Sequence, residues 1–151
     1  NFKEKNVVFV EPISDSSYTL KLYTQSENNW MLSDSINSPD LASVNFKIYF
    51  NDYNFDGQSD IFIRTSASNG YVMERGILLI INPETHKMEI HNEALELANM
   101  YPDSVTKTVI SDEFTWCKRN LIYVLCKSKY NWKQNKLILV DKACPCEGEE
   151  E

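Results

Sequence analysis

Residues 44–63 read VNFKIYFNDYNFDGQSDIFI. Val44, Phe46, Ile48 and Phe50 fall at every second position, the period of a half-buried strand. Ile61, Phe62 and Ile63 open a second apolar run. Between the two lies Asp52–Asp60, DYNFDGQSD, in a chain with only 4 glycines. Three carboxylates in one short loop repel one another unless something neutralises them. The stretch therefore predicts two strands joined by a tight, acidic loop.

The same period runs outward in both directions. Val7 and Phe9 form a strand that Glu11-Pro12 should stop, and Tyr18, Leu20 and Leu22 alternate with Thr19, Lys21 and Tyr23. Trp30–Ser33 is a short strand candidate. Residues 33–40, SDSINSPD, read as a loop. Gly76–Asn82, a Pro83-Glu84-Thr85-His86 turn and Lys87–His91 predict a hairpin. Asn92–Tyr101 (NEALELANMY) carries the one helical pattern, with Pro102 to end it. Val105–Ser111 returns to strand. Leu121–Lys127 and Lys136–Val140 flank a last hairpin around Tyr130–Asn135. The fold class is mainly β: a single domain, 1–151, of antiparallel strands and hairpins, β-propeller-like or sandwich-like, with one short helix near 92–101. Residues 147–151 form an acidic tail.

Composition narrows the function. Apolar residues make up 42% and charged residues 25% of 151, the balance of a globular chain. The net charge of −7 supplies no basic stripe to neutralise phosphates, which argues against nucleic acid. No apolar run reaches the roughly 18 residues of a transmembrane helix. The chain opens at Asn1 without Met or signal peptide, the pattern expected of a mature secreted or trimmed protein. Cys117, Cys126, Cys144 and Cys146 are spaced C-x8-C-x17-C-P-C. Zinc knuckles need two close pairs, and only the last pair is close. Two disulfides in an oxidising, extracytoplasmic space are expected instead. A two-residue turn at Gln134-Asn135 would bring Cys126 to Cys144 and leave Cys117 for Cys146. A small register slip would favour Cys117 with Cys126.

The acidic loop fits the calcium pattern D-x-[DN]-x-[DN]-G. Asp52, Asn54 and Asp56 take ligand positions 1, 3 and 5, and Gly57 takes the sharp turn at 6. Gln58 offers its carbonyl at 7 and Asp60 stands at 9. Calcium needs six to eight hard oxygens, and alternate side chains reach one ion only if the chain coils tightly. Ile63 replaces the bidentate glutamate of an EF-hand, and the flanks are strands, so a static, buttressed site is expected rather than a sensor. An ordinary Asp/Asn/Gly turn is the competing reading.

The run Asn51–Ile63 resembles the D-x-N-x-D-G-x-x-D loop of FG-GAP and related β-propeller calcium repeats. With Asn82-Pro83-Glu84-Thr85-His86-Lys87, Asn92-Glu93-Ala94-Leu95, Tyr130-Asn131-Trp132-Lys133 and Lys136–Val140 following in order, residues 44–140 resemble a bacterial family of small extracytoplasmic β-proteins. That family includes periplasmic inhibitors of lysozyme-like peptidoglycan hydrolases. The resemblance implies a calcium cofactor and a periplasmic, secreted or cell-surface lipoprotein location. It also implies a role as inhibitor or immunity protein against a cell-wall hydrolase, a cationic one that an acidic surface would attract.

Other chemistry has weaker support. His86 and His91 come without a nucleophile elbow or reactive-cysteine context. Asp112-Glu113 and Glu93/Glu96 are commoner as solvated carboxylates than as glycosidase pairs. No catalytic residue is assigned, and a hydrolase is the third reading. Trp30, Trp116, Trp132 and 8 tyrosines would serve a carbohydrate- or cell-wall-binding module, the second reading, although aromatics in β-domains are mostly core and cross-strand pairs.

Overall fold

The computed structural model describes residues 5–14, 17–38, 47–67, 73–118 and 121–146. Among these residues are eleven strands: β1 (Asn6–Ser14), β2 (Ser17–Ser26), β3 (Asn29–Ser38), β4 (Lys47–Asn51), β5 (Asp60–Ala67), β6 (Glu74–Ile81), β7 (Met88–His91), β8 (Tyr101–Asp103), β9 (Thr108–Cys117), β10 (Ile122–Lys133) and β11 (Lys136–Ala143). They form three antiparallel sheets, β1-β2-β3, β4-β5-β6-β7 and β11-β10-β9-β8. The protein is mainly β, and the sheets stack in a sandwich-like way.

The middle sheet organises the rest. GILLII in β6 is apolar at successive positions because both of its faces are covered. Leu78 and Ile80 join Tyr53, Phe62, Ala94, Leu97, Met100, Val109 and Leu137 in one cluster, against β9–β11. Leu79 and Ile81 join Leu20, Leu22, Ile61, Ile63 and Met88 in the other, against β1–β3. The alternation of β4 splits the same way. Tyr49 packs on the first cluster and Ile48 on the second. Gly76 is required by close approach: a Cβ there would lie 2.0 Å from the Ile63 carbonyl oxygen.

Several expected boundaries move, each for a physical reason. Pro12 does not stop β1, because β1 is an edge strand and edges tolerate a missing donor. Residues 33–38 are not loop but the second half of β3. Asp34 accepts the Met88 N–H at 2.8 Å and Ile36 packs on the core, so a polar-looking stretch has an occupied inner face. The helix of 92–101 is a 3-10 element, Asn92–Glu96, and Tyr101 already opens β8, another edge strand that accepts Pro102. Residues 104–107 form a turn, with Asp103 accepting the Val105 N–H at 2.9 Å, so β9 begins at Thr108 rather than Val105. Val44–Phe46, residues 39–40 and the acidic tail lie outside the described residues.

Gln134 and Asn135 make the two-residue turn between β10 and β11, with φ 50° and 59°. Positive φ at both positions is the hairpin geometry matched to strand twist. The disulfides are Cys117–Cys146 and Cys126–Cys144, the first of the two expected arrangements. They staple the distal part of the β9–β10–β11 ribbon. There, neighbouring residues Ile122 and Tyr123, which point to opposite faces, are both exposed. No helix among the described residues is long and apolar enough to cross a membrane.

Candidate metal loop and the cavity beside it

The loop between β4 and β5 is held by its own side chains. Asp52 Oδ2 accepts the Gly57 N–H at 2.9 Å. Asn54 Oδ1 accepts the Asp56 N–H at 3.1 Å, and Asp56 Oδ1 accepts the Gln58 N–H at 2.7 Å. Asn54 Nδ2 donates to Asp56 Oδ2 at 2.9 Å. The chain reverses at Gly57, with φ 90°. Phe55 also takes positive φ, 64°, a conformation that bulky side chains resist. Its ring packs on the core and carries the Lys107 ammonium at 5.3 Å from its centroid, contacts that hold it there.

Asp60 sits beneath this turn, with 0% of its surface exposed. Its Oδ2 accepts the Tyr53 N–H at 2.8 Å and the Asn54 N–H at 3.4 Å, and its Oδ1 accepts the Ile81 N–H at 3.1 Å. Burial pushes its carboxyl up to about 7, and the N–H groups of Ile81 and Tyr53 oppose that rise. Asp60 therefore ties the loop to the middle sheet. Trp132 adds a tie from the last hairpin, its indole N–H donating to the Tyr53 carbonyl.

Asp52 Oδ1 is buried and has no hydrogen-bond partner. An unsatisfied buried acceptor costs about 1–3 kcal/mol, more when charged, and a cation would satisfy it. Ionised carboxylates have about four acceptor sites each, so the bonds already made leave room for coordination at Asp52 and Asp56. Against this, among the described residues no three Asp, Glu, His or Cys side chains converge as a metal site. The described geometry brings Asp52, Asn54, Asp56 and Gln58 along one turn at the spacing of the calcium pattern, and the side chains of the first three bond to the turn's own amides.

Next to the loop, on the β8 side, a cavity of about 270 Å³ opens between the middle sheet and β8. Tyr49, Asn51 and Tyr53 line it from β4 and the loop, Glu74 from β6, Asn99 and Tyr101 from the segment that crosses to β8. The Glu74 carboxylate is fixed by Arg64 on one oxygen and by the Tyr49 hydroxyl on the other, at 3.0 Å. Asn99 is pinned at both ends, accepting the Glu74 N–H at 2.8 Å and donating to the Asp112 carbonyl at 3.0 Å. Tyr49 and Asn51 stand two apart on β4, so their shared face was visible in the sequence, while Tyr53 joins them from the loop. Their partners come from distant segments and were not.

The histidines do not form a site together. His86 occupies the turn, with φ 54°, while His91 is buried at 5% exposure with Nδ1 3.3 Å from Glu93 and its ring edge-on to Trp132. Asp112 and Glu113 are engaged by Lys127 at 3.8 Å and Arg75 at 2.6 Å. Of the tryptophans, Trp30 lies on the outer face of β1–β3 and Trp116 on the distal ribbon, while Trp132 packs against the core, so they build no shared platform. No family model, curated protein or solved structure matches the chain.

Proposed function

We infer that the chain is a non-enzymatic, calcium-stabilised binding domain that works outside the cytoplasm against a protein partner. The observation that carries the metal is the buried, unpartnered Oδ1 of Asp52 inside a turn whose other oxygens follow the calcium spacing. Asp52, Asn54 and Asp56 would hold the ion with the Gln58 carbonyl, while Asp60 keeps the floor of the loop in place. The ion would neutralise the loop's carboxylates and hold its coil.

Two disulfides support an oxidising compartment. The partner follows from charge and surface. A net −7 would steer a cationic protein to this one, such as the cell-wall hydrolases that the resembled family inhibits. The outer face of β1–β3, where Val7, Phe9, Tyr23 and Trp30 line an apolar hollow of about 520 Å³, offers area for contact.

The test is Asp52→Asn, melted in calcium and in chelator. The parent gains about 1 kcal/mol in millimolar calcium if the dissociation constant lies near that of extracellular modules. The variant places an amide where the unpartnered oxygen stood. It is expected to melt at or above the parent in chelator, below it in calcium, and to lose the calcium response. Asp56→Ala should lose the response too. Identical parent curves in calcium and chelator would end the metal reading. For the partner, retention of a basic lysozyme-type hydrolase on immobilised protein, with loss of its activity, is the expected result. Full activity at saturating protein would refute inhibition.

A further inference from the structure

We propose that the cavity between β4, β6 and β8 is a binding site for one neutral, hydroxyl-rich ring of monosaccharide size. This does not rest on the metal reading, since none of the cavity's polar side chains is a candidate ligand. At about 270 Å³ the cavity falls just below the range that holds drug-sized molecules, roughly 300–1,000 Å³. It suits a single ring.

Its chemistry excludes most other occupants. Among the described lining residues Glu74 is the one carboxylate, and Arg64, itself buried, neutralises it. The Lys127 ammonium lies 3.4 Å from the hydroxyl of the lining residue Tyr101 and 3.8 Å from Asp112. Each positive charge next to a lining residue is thus matched by a negative one. An anion would meet Glu74, and a cation would meet Arg64 and Lys127. A neutral ligand meets neither penalty.

The polar groups are fixed before any ligand arrives. Arg64 and Tyr49 each occupy one oxygen of Glu74, which leaves lone pairs on both to accept hydroxyl donors. Asn99 holds the Glu74 backbone in place and is held by Asp112. The Asn51 amide lines the same wall and adds a further polar edge. Tyr101 lines the cavity and is 39% exposed, an aromatic side chain on which a C–H-rich ring surface would pack. A few convergent, preorganised polar groups beside an aromatic face are what a sugar ring requires, and preorganisation lowers the entropic cost of capture.

The experiment is an amide-shift titration of the ¹⁵N-labelled full chain in calcium-containing buffer, using neutral hexoses and N-acetylhexosamines. Tetramethylammonium and inorganic phosphate serve as charged comparators. Saturable shifts confined to residues around Asn51, Glu74, Asn99 and Tyr101 are expected, with millimolar dissociation constants for single rings. Tyr101→Ala should weaken binding about tenfold, which is what losing one stacked ring would do. Asn51→Ala, at an exposed position, gives a second reading that does not touch the aromatic face. No saturable shift at these amides with any sugar overturns the proposal, as does unchanged affinity in both variants. Shifts with tetramethylammonium or phosphate and none with sugars would overturn it as well.

Discussion

The Tyr53 amide donates to Asp60 Oδ2 at 2.8 Å, seven residues along the chain, so the last acid of the loop closes on its second residue from below. The other oxygen of the same carboxylate takes the Ile81 amide from β6 at 3.1 Å. One buried side chain thus satisfies amides from the loop and from the neighbouring strand.

Asp60→Asn should therefore destabilise the protein although it is nearly isosteric. The amide nitrogen must face either Tyr53 N–H or Ile81 N–H, setting donor against donor. A loss of about 1–3 kcal/mol is expected, measured by urea unfolding in chelator. Stability equal to the parent would mean that the carboxylate is not clamping these amides.

The same group sets a pH dependence in the absence of calcium. Burial holds the Asp60 carboxyl up to about 7 when folded, against an ordinary 3.8. The folded state then binds the proton more tightly than the unfolded one. Stability from this group is full below about pH 4 and is lost as pH rises through about 7. Glu89 works the opposite way. Hydrogen bonds from the Asn82 and Asn135 side chains hold it below its ordinary 4.5, so its contribution is present above that value and lost as pH falls through its folded value. In chelator the melting temperature should rise from about pH 8 to pH 5 and fall again in stronger acid. Asp60→Asn should flatten the upper limb. A parent curve already flat over that limb would contradict the assignment.

The middle sheet makes two adjacent residues equally sensitive. Leu79 faces the β1–β3 cluster and Ile80 the β9–β11 cluster, at 1% and 2% exposure. Each change to alanine should cost about 2–5 kcal/mol. In a strand with one solvated face, one of two neighbours would tolerate the change. A cost under about 1 kcal/mol at either position would show that face to be uncovered.

Strand content was legible because period-2 alternation is local, and so was the turn at Gln134-Asn135, while the choice between the two disulfide pairings was left to the strand register. Sites that depend on depth were not. SDSINS reads as loop by composition, yet Asp34 and Ile36 have inner partners on β7 and in the core. NEALELANMY carries enough Leu and Ala for a helix. The residues it buries are Ala94, Leu97, Ala98 and Met100, while Leu95 stays exposed, and Asn99 takes φ 47°. A left-handed residue there turns the chain toward β8. In the loop, spacing gave Asp60 a place at position 9. Spacing could not tell that its oxygens also take amides under the turn. The Glu74 cavity escaped because β4, β6 and the crossing segment meet only in the folded chain.

Among the described residues, each strand pairs only with strands adjacent to it in the chain. Sheets assembled from distant segments must close long loops before any contact forms, which slows them. Here each layer can zip from its own turns, and only the docking of layer on layer joins remote parts. Folding should then proceed in two stages, with β6 amides protected early in pulse-labelled exchange and side-chain packing signals arriving later. Simultaneous appearance of both would refute the order. Between the stages the GILLII strand has neither cover. The interval before docking is when the chain is most exposed to aggregation, and the two outer meanders act as the guards that end it.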